Sequence, residues 1–86
     1  MVTKDFWLND TIKINHPLAD RISVQNSPMH HAGENSSELA FFRGGVFQTA
    51  IIEEFAQYTS DEAGGTRVYD WVPNEKIEKF LEVYRA

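Results

Sequence analysis

The 86-residue chain contains no cysteine. This absence excludes a disulfide scaffold, a zinc ribbon, an iron–sulfur cluster and thiol catalysis. The sequence also lacks any apolar run near the roughly 20 residues that a membrane-spanning helix needs, and its first residues lack the apolar core of a signal peptide. We therefore expect a cytoplasmic protein without membrane contact, folded as a single compact domain over residues 1–86.

Basic side chains are scarce. Eight lysines and arginines stand against thirteen aspartates and glutamates, which gives a formal net charge of −5. No basic cluster is present that could release counterions from a phosphate backbone, and this argues against nucleic-acid binding. All the net negative charge lies in residues 34–86. It would suit a basic partner, although the simpler interpretation is that it keeps a small domain in solution.

Alternation of apolar and polar side chains predicts short strands at several points of the chain. Strands joined by tight turns pair antiparallel. Gly44 and Gly45 are expected to form one such turn, because glycine adopts a positive φ without steric cost. Asn9 and Asp10 are expected to form an earlier one. The predicted strands cover residues 5–8, 11–14, 21–25, 38–42, 46–48 and 66–72.

Two segments show the period of a helix. Residues 75–85 carry an amphipathic stripe, and residues 50–59 carry apolar side chains at helical spacing, with a continued strand as the alternative. The sequence thus predicts an α+β fold with two layers: a mostly antiparallel twisted sheet of five to six short strands with both helices on one face. The predicted core includes Phe47 and Ile51. The stripe consists of Ile77, Phe80, Leu81 and Tyr84.

Residues 26–37 show no periodicity and predict a long loop that contains His30 and His31. The two histidines could hold zinc or manganese in a small hydrolase if His16 or Glu34 supplied a third ligand. No HExxH motif, nucleophile elbow or phosphate-binding glycine motif accompanies them. The sequence therefore predicts no catalytic residue, no metal and no cofactor, and the metal-dependent hydrolase stays an alternative.

Aromatic residues are the most informative feature. Eleven of the 86 residues are Phe, Trp or Tyr, more than a small two-layer core can bury. Alternation along residues 68–72 places Tyr69 and Trp71 on one sheet face. We expect the face away from the helices to carry a partner-binding surface formed by Trp7, Phe42, Tyr69 and Trp71. The alternative is a second apolar cluster under the long loop.

These features predict a small acidic, non-enzymatic module that binds an unidentified protein partner. Composition alone, without any motif, suggests the accessory or inhibitor proteins of phages and mobile elements. Two alternatives stay open. One is the metal-dependent hydrolase on the 26–37 loop, and the other is a structural subunit that associates with itself as a homo-oligomer.

Overall fold

The structure is a computed structural model that describes residues 10–26, 35–59 and 64–86. A 3₁₀ helix (Glu53–Tyr58) and an α-helix, α1 (Asn74–Tyr84), lie in the second half of the chain. The strands are β1 (Asp10–His16), β2 (Ala19–Gln25), β3 (Ser36–Arg43), β4 (Val46–Phe47) and β5 (Val68–Pro73).

The five strands form one sheet in which every pairing is antiparallel. β3 is the central strand. β2 lies along one side of it, and β1 lies beyond β2. On its other side β3 pairs with β5 over its first half and with β4 over its second half. The predicted α+β fold with an antiparallel sheet and two helices is confirmed.

Two short turns set the register of the sheet. Pro17 and Leu18 connect β1 to β2, where a proline cannot continue the ladder. Gly44 and Gly45 connect β3 to β4 with φ values of 61° and 86°, the left-handed conformation that a two-residue hairpin requires. The predicted hairpin at these glycines is confirmed. The strand predicted at residues 5–8 lies outside the described residues.

The core lies between one face of the sheet and the two helices. Its centre is the Phe41 ring on β3, which lies 5.9 Å from Phe55 of the 3₁₀ helix, 5.3 Å from Tyr69 of β5 and 5.8 Å from Phe80 of α1. Offset and edge-to-face ring pairs at these distances add to the energy of apolar burial. The buried set is Ile12, Ile14, Ala19, Ile22, Val24, Leu39, Phe41, Ile52, Phe55, Tyr69, Val72, Ile77, Phe80 and Leu81.

A bulge interrupts β5. Two of its residues, Asp70 and Trp71, lie opposite the single Glu38 of β3. Because of the extra residue, Tyr69 and Val72 both point into the core and are fully buried. Trp71 is 55% exposed and has a φ of 55°. The expectation that Tyr69 and Trp71 share a sheet face is therefore wrong, since regular alternation does not hold across a bulge.

The helices differ in how closely they follow the sequence pattern. The helix predicted at residues 75–85 is confirmed as α1, with its apolar stripe against the sheet. Residues 50–59 contain only the six-residue 3₁₀ helix, whose backbone is non-helical at Phe55. No helix in the described ranges has both the length and the apolar character needed to cross a bilayer.

The 3₁₀ helix starts late because its entry is held in an extended conformation. The backbone N–H of Ile52 donates a hydrogen bond to the Tyr69 hydroxyl, with 2.9 Å between the two atoms, and Ile52 has extended φ and ψ. Two residues predicted for the core are exposed instead. Ile51 lies in this extended segment, and Phe47 lies on the sheet face away from the helices.

We expect Tyr69→Phe to lower the free energy of unfolding by about 1–2 kcal/mol, because the buried N–H of Ile52 would lose its acceptor. Urea titration of the purified protein measures this. Tyr58→Phe is the matched control, since Tyr58 packs at the margin of the core and its hydroxyl makes no hydrogen bond to another described residue. Equal stability of the two variants would show that the hydroxyl of Tyr69 contributes nothing.

Candidate functional site

The three described members of the predicted aromatic binding surface lie in different environments. Trp71 is exposed at the bulge of β5, and Phe42 is half-buried on the sheet face away from the helices. Tyr69 is fully buried. Trp7 lies outside the described residues. The structure therefore does not bring Tyr69 to one surface with Phe42 and Trp71, and a role in binding stays a prediction for the exposed members.

Tyr69 supports the fold from inside. Its ring packs edge-on against Phe41, and its hydroxyl accepts the Ile52 N–H. Burial raises the pKa of Tyr69, and this effect exceeds the opposite one of the Ile52 hydrogen bond. A fully buried ring cannot contact a partner directly. We therefore assign Tyr69 a structural role, which is to anchor β5, the strand that carries Trp71.

Trp71 occupies an unusual backbone position. A φ of 55° lies in the left-handed region, where an L-residue other than glycine, asparagine or aspartate costs about 1–2 kcal/mol. Bulges in natural sheets redirect side chains and are common beside functional sites. Asp70 precedes Trp71, and Glu38 lies opposite the pair on β3. Trp71 is therefore flanked by acidic residues in the strand register.

A second aromatic surface lies on the sheet face away from the helices. The strand register aligns four side chains across the sheet in the order Lys13, Arg21, Phe42, Phe47. This set is called the outer row. The centroids of its two rings are 4.7 Å apart, and Phe47 is 36% exposed. No helix or strand in the described part of the chain packs on this face.

The two cations of the outer row are cross-strand neighbours. Lys13 lies directly opposite Arg21, an arrangement that is unfavourable for like charges. Within the described residues neither side chain has a carboxylate at salt-bridge distance. A chain with a net charge of −5 thus places two adjacent cations, without a salt bridge to any described residue, beside two aromatic rings on one face of the sheet.

Phe47 is a member of this surface that the sequence pattern missed. An apolar residue two positions after a turn resembles a core residue when it is considered alone. The signal that could have placed it is the two-residue turn, since a hairpin closed by Gly44 and Gly45 must set Phe42 opposite Phe47. With Phe41 in the core, Phe42 and its partner both face outward.

A polar cluster joins β1, the 3₁₀ helix and α1. The Nε2 atom of His16 lies 3.3 Å from Oε1 of Glu54, and its Nδ1 accepts a hydrogen bond from the backbone N–H of Leu18 at 3.1 Å. This acceptor role assigns the ring proton to Nε2, so that His16 donates to Glu54. Phe80 and Tyr84 pack against the imidazole. The ring is thereby fixed in position.

Opposing effects act on the carboxyl group of Glu54. Burial raises its pKa, but hydrogen bonds from its own backbone N–H, from the Tyr84 hydroxyl and from His16 outweigh burial and lower the pKa below the ordinary value of 4.5. The hydrogen bond to Glu54, assisted by desolvation, raises the pKa of Tyr84. The cluster therefore connects three elements through a charged carboxylate.

The cluster does not resemble a metal site. His16, considered as a third ligand from sequence, already uses both ring nitrogens. Over residues 10–26, 35–59 and 64–86, no three His, Asp or Glu side chains are placed to hold one metal ion. The other candidate ligands, His30, His31 and Glu34, lie outside the described residues.

No family model, curated protein or solved structure matches this chain. Its function must therefore be inferred from the geometry of its own side chains. Two surfaces carry that inference: the exposed Trp71 at the bulge and the outer row.

Wild-type stability should decline on acidification partly because of Glu54. A carboxyl group whose pKa is lowered by folding stabilises the fold above its unfolded pKa, and this stabilisation is lost as the pH falls through the folded pKa. The melting-temperature difference between wild type and Glu54→Gln should therefore shrink between about pH 5 and pH 3. Glu53→Gln, on the same helix, is the control. A difference that stays constant over this range would contradict the account.

Proposed function

We propose that this protein is a small, non-enzymatic module that binds another protein through Trp71. The observation that carries the proposal is an indole that is 55% exposed on a backbone held at a φ of 55°. The composition supports an accessory or inhibitor role in the cytoplasm, of the kind found among phage and mobile-element proteins. Trp71 is the contact residue in this proposal.

Burial in the core does not account for tryptophan at this position. Tyr69 and Val72 already fill the inward positions on either side of the bulge. Glycine would adopt the left-handed conformation without a penalty. Tryptophan at this site therefore carries a backbone penalty and exposes a large apolar ring. Tryptophan is also among the residue types most enriched at the energetic centres of protein interfaces.

The surroundings of Trp71 specify the partner's chemistry. Asp70 precedes Trp71 and Glu38 lies opposite the bulge in the strand register, and the whole chain carries a net charge of −5. A complementary surface would have an apolar pocket for the indole and a basic rim. Long-range attraction would then accelerate association at low ionic strength, and added salt would slow it.

The test is capture from a host lysate followed by measurement with the purified partner. Trp71→Gly removes the indole but suits the backbone, so it should stay folded. We expect it to weaken binding by at least about 2 kcal/mol, or roughly thirtyfold in Kd. Val83→Ala is the matched control, because Val83 is 71% exposed on α1 and its truncation removes apolar surface elsewhere.

Two results would contradict the proposal. One is equal affinity of wild type and Trp71→Gly for the captured partner. The other is a loss of binding in Val83→Ala that matches the loss in Trp71→Gly, since the contact would then not be specific to the bulge. Circular dichroism of each variant shows whether the fold is intact.

A further inference from the structure

We infer that the outer row forms the centre of a twofold interface between two copies of this chain. The inference goes beyond the proposed function, because its central residues are those of the outer row and not Trp71. It depends on the order of four side chains across the sheet, on the small residues beside them, and on the side of the molecule that carries the acids.

The order of the outer row makes it self-complementary. Two cations, Lys13 and Arg21, occupy one half, and two rings, Phe42 and Phe47, occupy the other half. Suppose that a twofold axis runs parallel to the strands between β2 and β3. It then places Arg21 of each copy over Phe42 of the other, and Lys13 over Phe47. Each cation therefore meets the face of an aromatic ring.

This pairing would offset two unfavourable features of the single chain: the repulsion between neighbouring cations and the exposure of apolar rings. Lys13 and Arg21 repel each other as direct cross-strand neighbours, and the electron-rich face of an aromatic ring attracts a cation. The exposed apolar surface of Phe42 and Phe47 is covered in the same contact. The twofold arrangement forms each of the two contacts twice, as an isologous interface requires.

The neighbouring row permits close approach of two sheets. It consists of Thr11, Ser23, Ala40 and Val68 in that order across the sheet. The two residues nearest the axis, Ser23 and Ala40, are small. Face-to-face sheets pack about 10 Å apart with their strands nearly aligned, and an axis parallel to the strands gives that alignment.

Pairing along the edge of β1 is less available than pairing through the face. The backbone N–H of Ala86 donates to the Lys13 carbonyl at 3.1 Å, and Arg85 forms a bridge with Ile14. These contacts occupy part of the outer edge of β1, where a second chain would otherwise add a strand. We therefore place the contact on the sheet face.

The negative charge of the chain does not oppose the arrangement strongly. The opposite layer, formed by the 3₁₀ helix and α1, carries five carboxylates, and the dimer would turn this layer outward. Their charges would be separated by two layers and screened by salt over about 8–10 Å. The five are Glu53, Glu54, Glu75, Glu78 and Glu82.

The available area predicts a weak dimer. Four strands about 4.8 Å apart and about 23 Å long offer roughly 400–450 Å² on each copy. This is below the roughly 800 Å² per partner of a standard stable complex. We therefore expect a dissociation constant in the range of about 10–100 μM, typical of small interfaces. Sedimentation velocity from about 1 to 500 μM covers this range.

Exchange of residues within the outer row provides the decisive test. Phe42→Arg would place two arginines against each other across the axis, and we expect it to weaken the dimer at least about thirtyfold. The double variant Arg21→Phe with Phe42→Arg restores an arginine–phenylalanine pair on each side. Its dissociation constant should return to within about threefold of wild type. Both positions face away from the core, and circular dichroism verifies folding.

Three results would overturn the inference: a wild-type chain that stays monomeric at about 500 μM, a Phe42→Arg variant that dimerises like wild type, or a double variant that is not rescued. A monomeric wild type whose partner binding is lost in Phe42→Arg would assign the face to a different protein. Trp71→Gly leaves all four residues of the outer row in place and should still dimerise. Failure of the partner-binding proposal would therefore leave the dimer measurement unaffected, and the reverse also holds.

Discussion

The bulge in β5 determines which side chains of this strand point into the core and which point away from it. With Asp70 and Trp71 together opposite Glu38, the side-chain direction changes between Tyr69 and Val72, and both point inward. Tyr69 then reaches the entry of the 3₁₀ helix. Trp71 is excluded from the core by the same geometry. Without the extra residue, regular alternation would place only one of the two inward residues in the core.

The described aromatic residues around the sheet fall into three groups. A buried group around Phe41 joins the central strand to β5 and to both helices. A pair on the opposite face, Phe42 and Phe47, completes a row begun by two cations. Trp71 is exposed at the bulge. Phe42, Phe47 and Trp71 thus lie outside the core, in the outer row and at the bulge. Each of these two places has a distinct proposed contact.

Much of the fold could be predicted from local patterns. The stripe of α1 and the Gly44-Gly45 turn follow from periodicity and from the φ that a turn demands. The bulge could not be predicted, because an alternating pattern has the same appearance with and without an inserted residue. The short 3₁₀ helix was also hidden, since its late start depends on a hydrogen bond from Ile52 to Tyr69, seventeen residues away. At the candidate site, the exposure of Trp71 was predicted from the sequence. The outer row could not be predicted, because it is defined by the register of four strands.

The most direct test of the bulge compares the unfolding free energies of Trp71→Gly and Trp71→Ala. Both variants lack the indole, so they differ only in the Cβ atom on a left-handed backbone. We expect the glycine variant to be more stable by about 1 kcal/mol. Thr11 lies in the regular part of β1, and there the order should reverse. Thr11→Ala should be more stable than Thr11→Gly by about 0.5–1 kcal/mol. An alanine variant at position 71 that equals or exceeds the glycine variant would contradict the bulge.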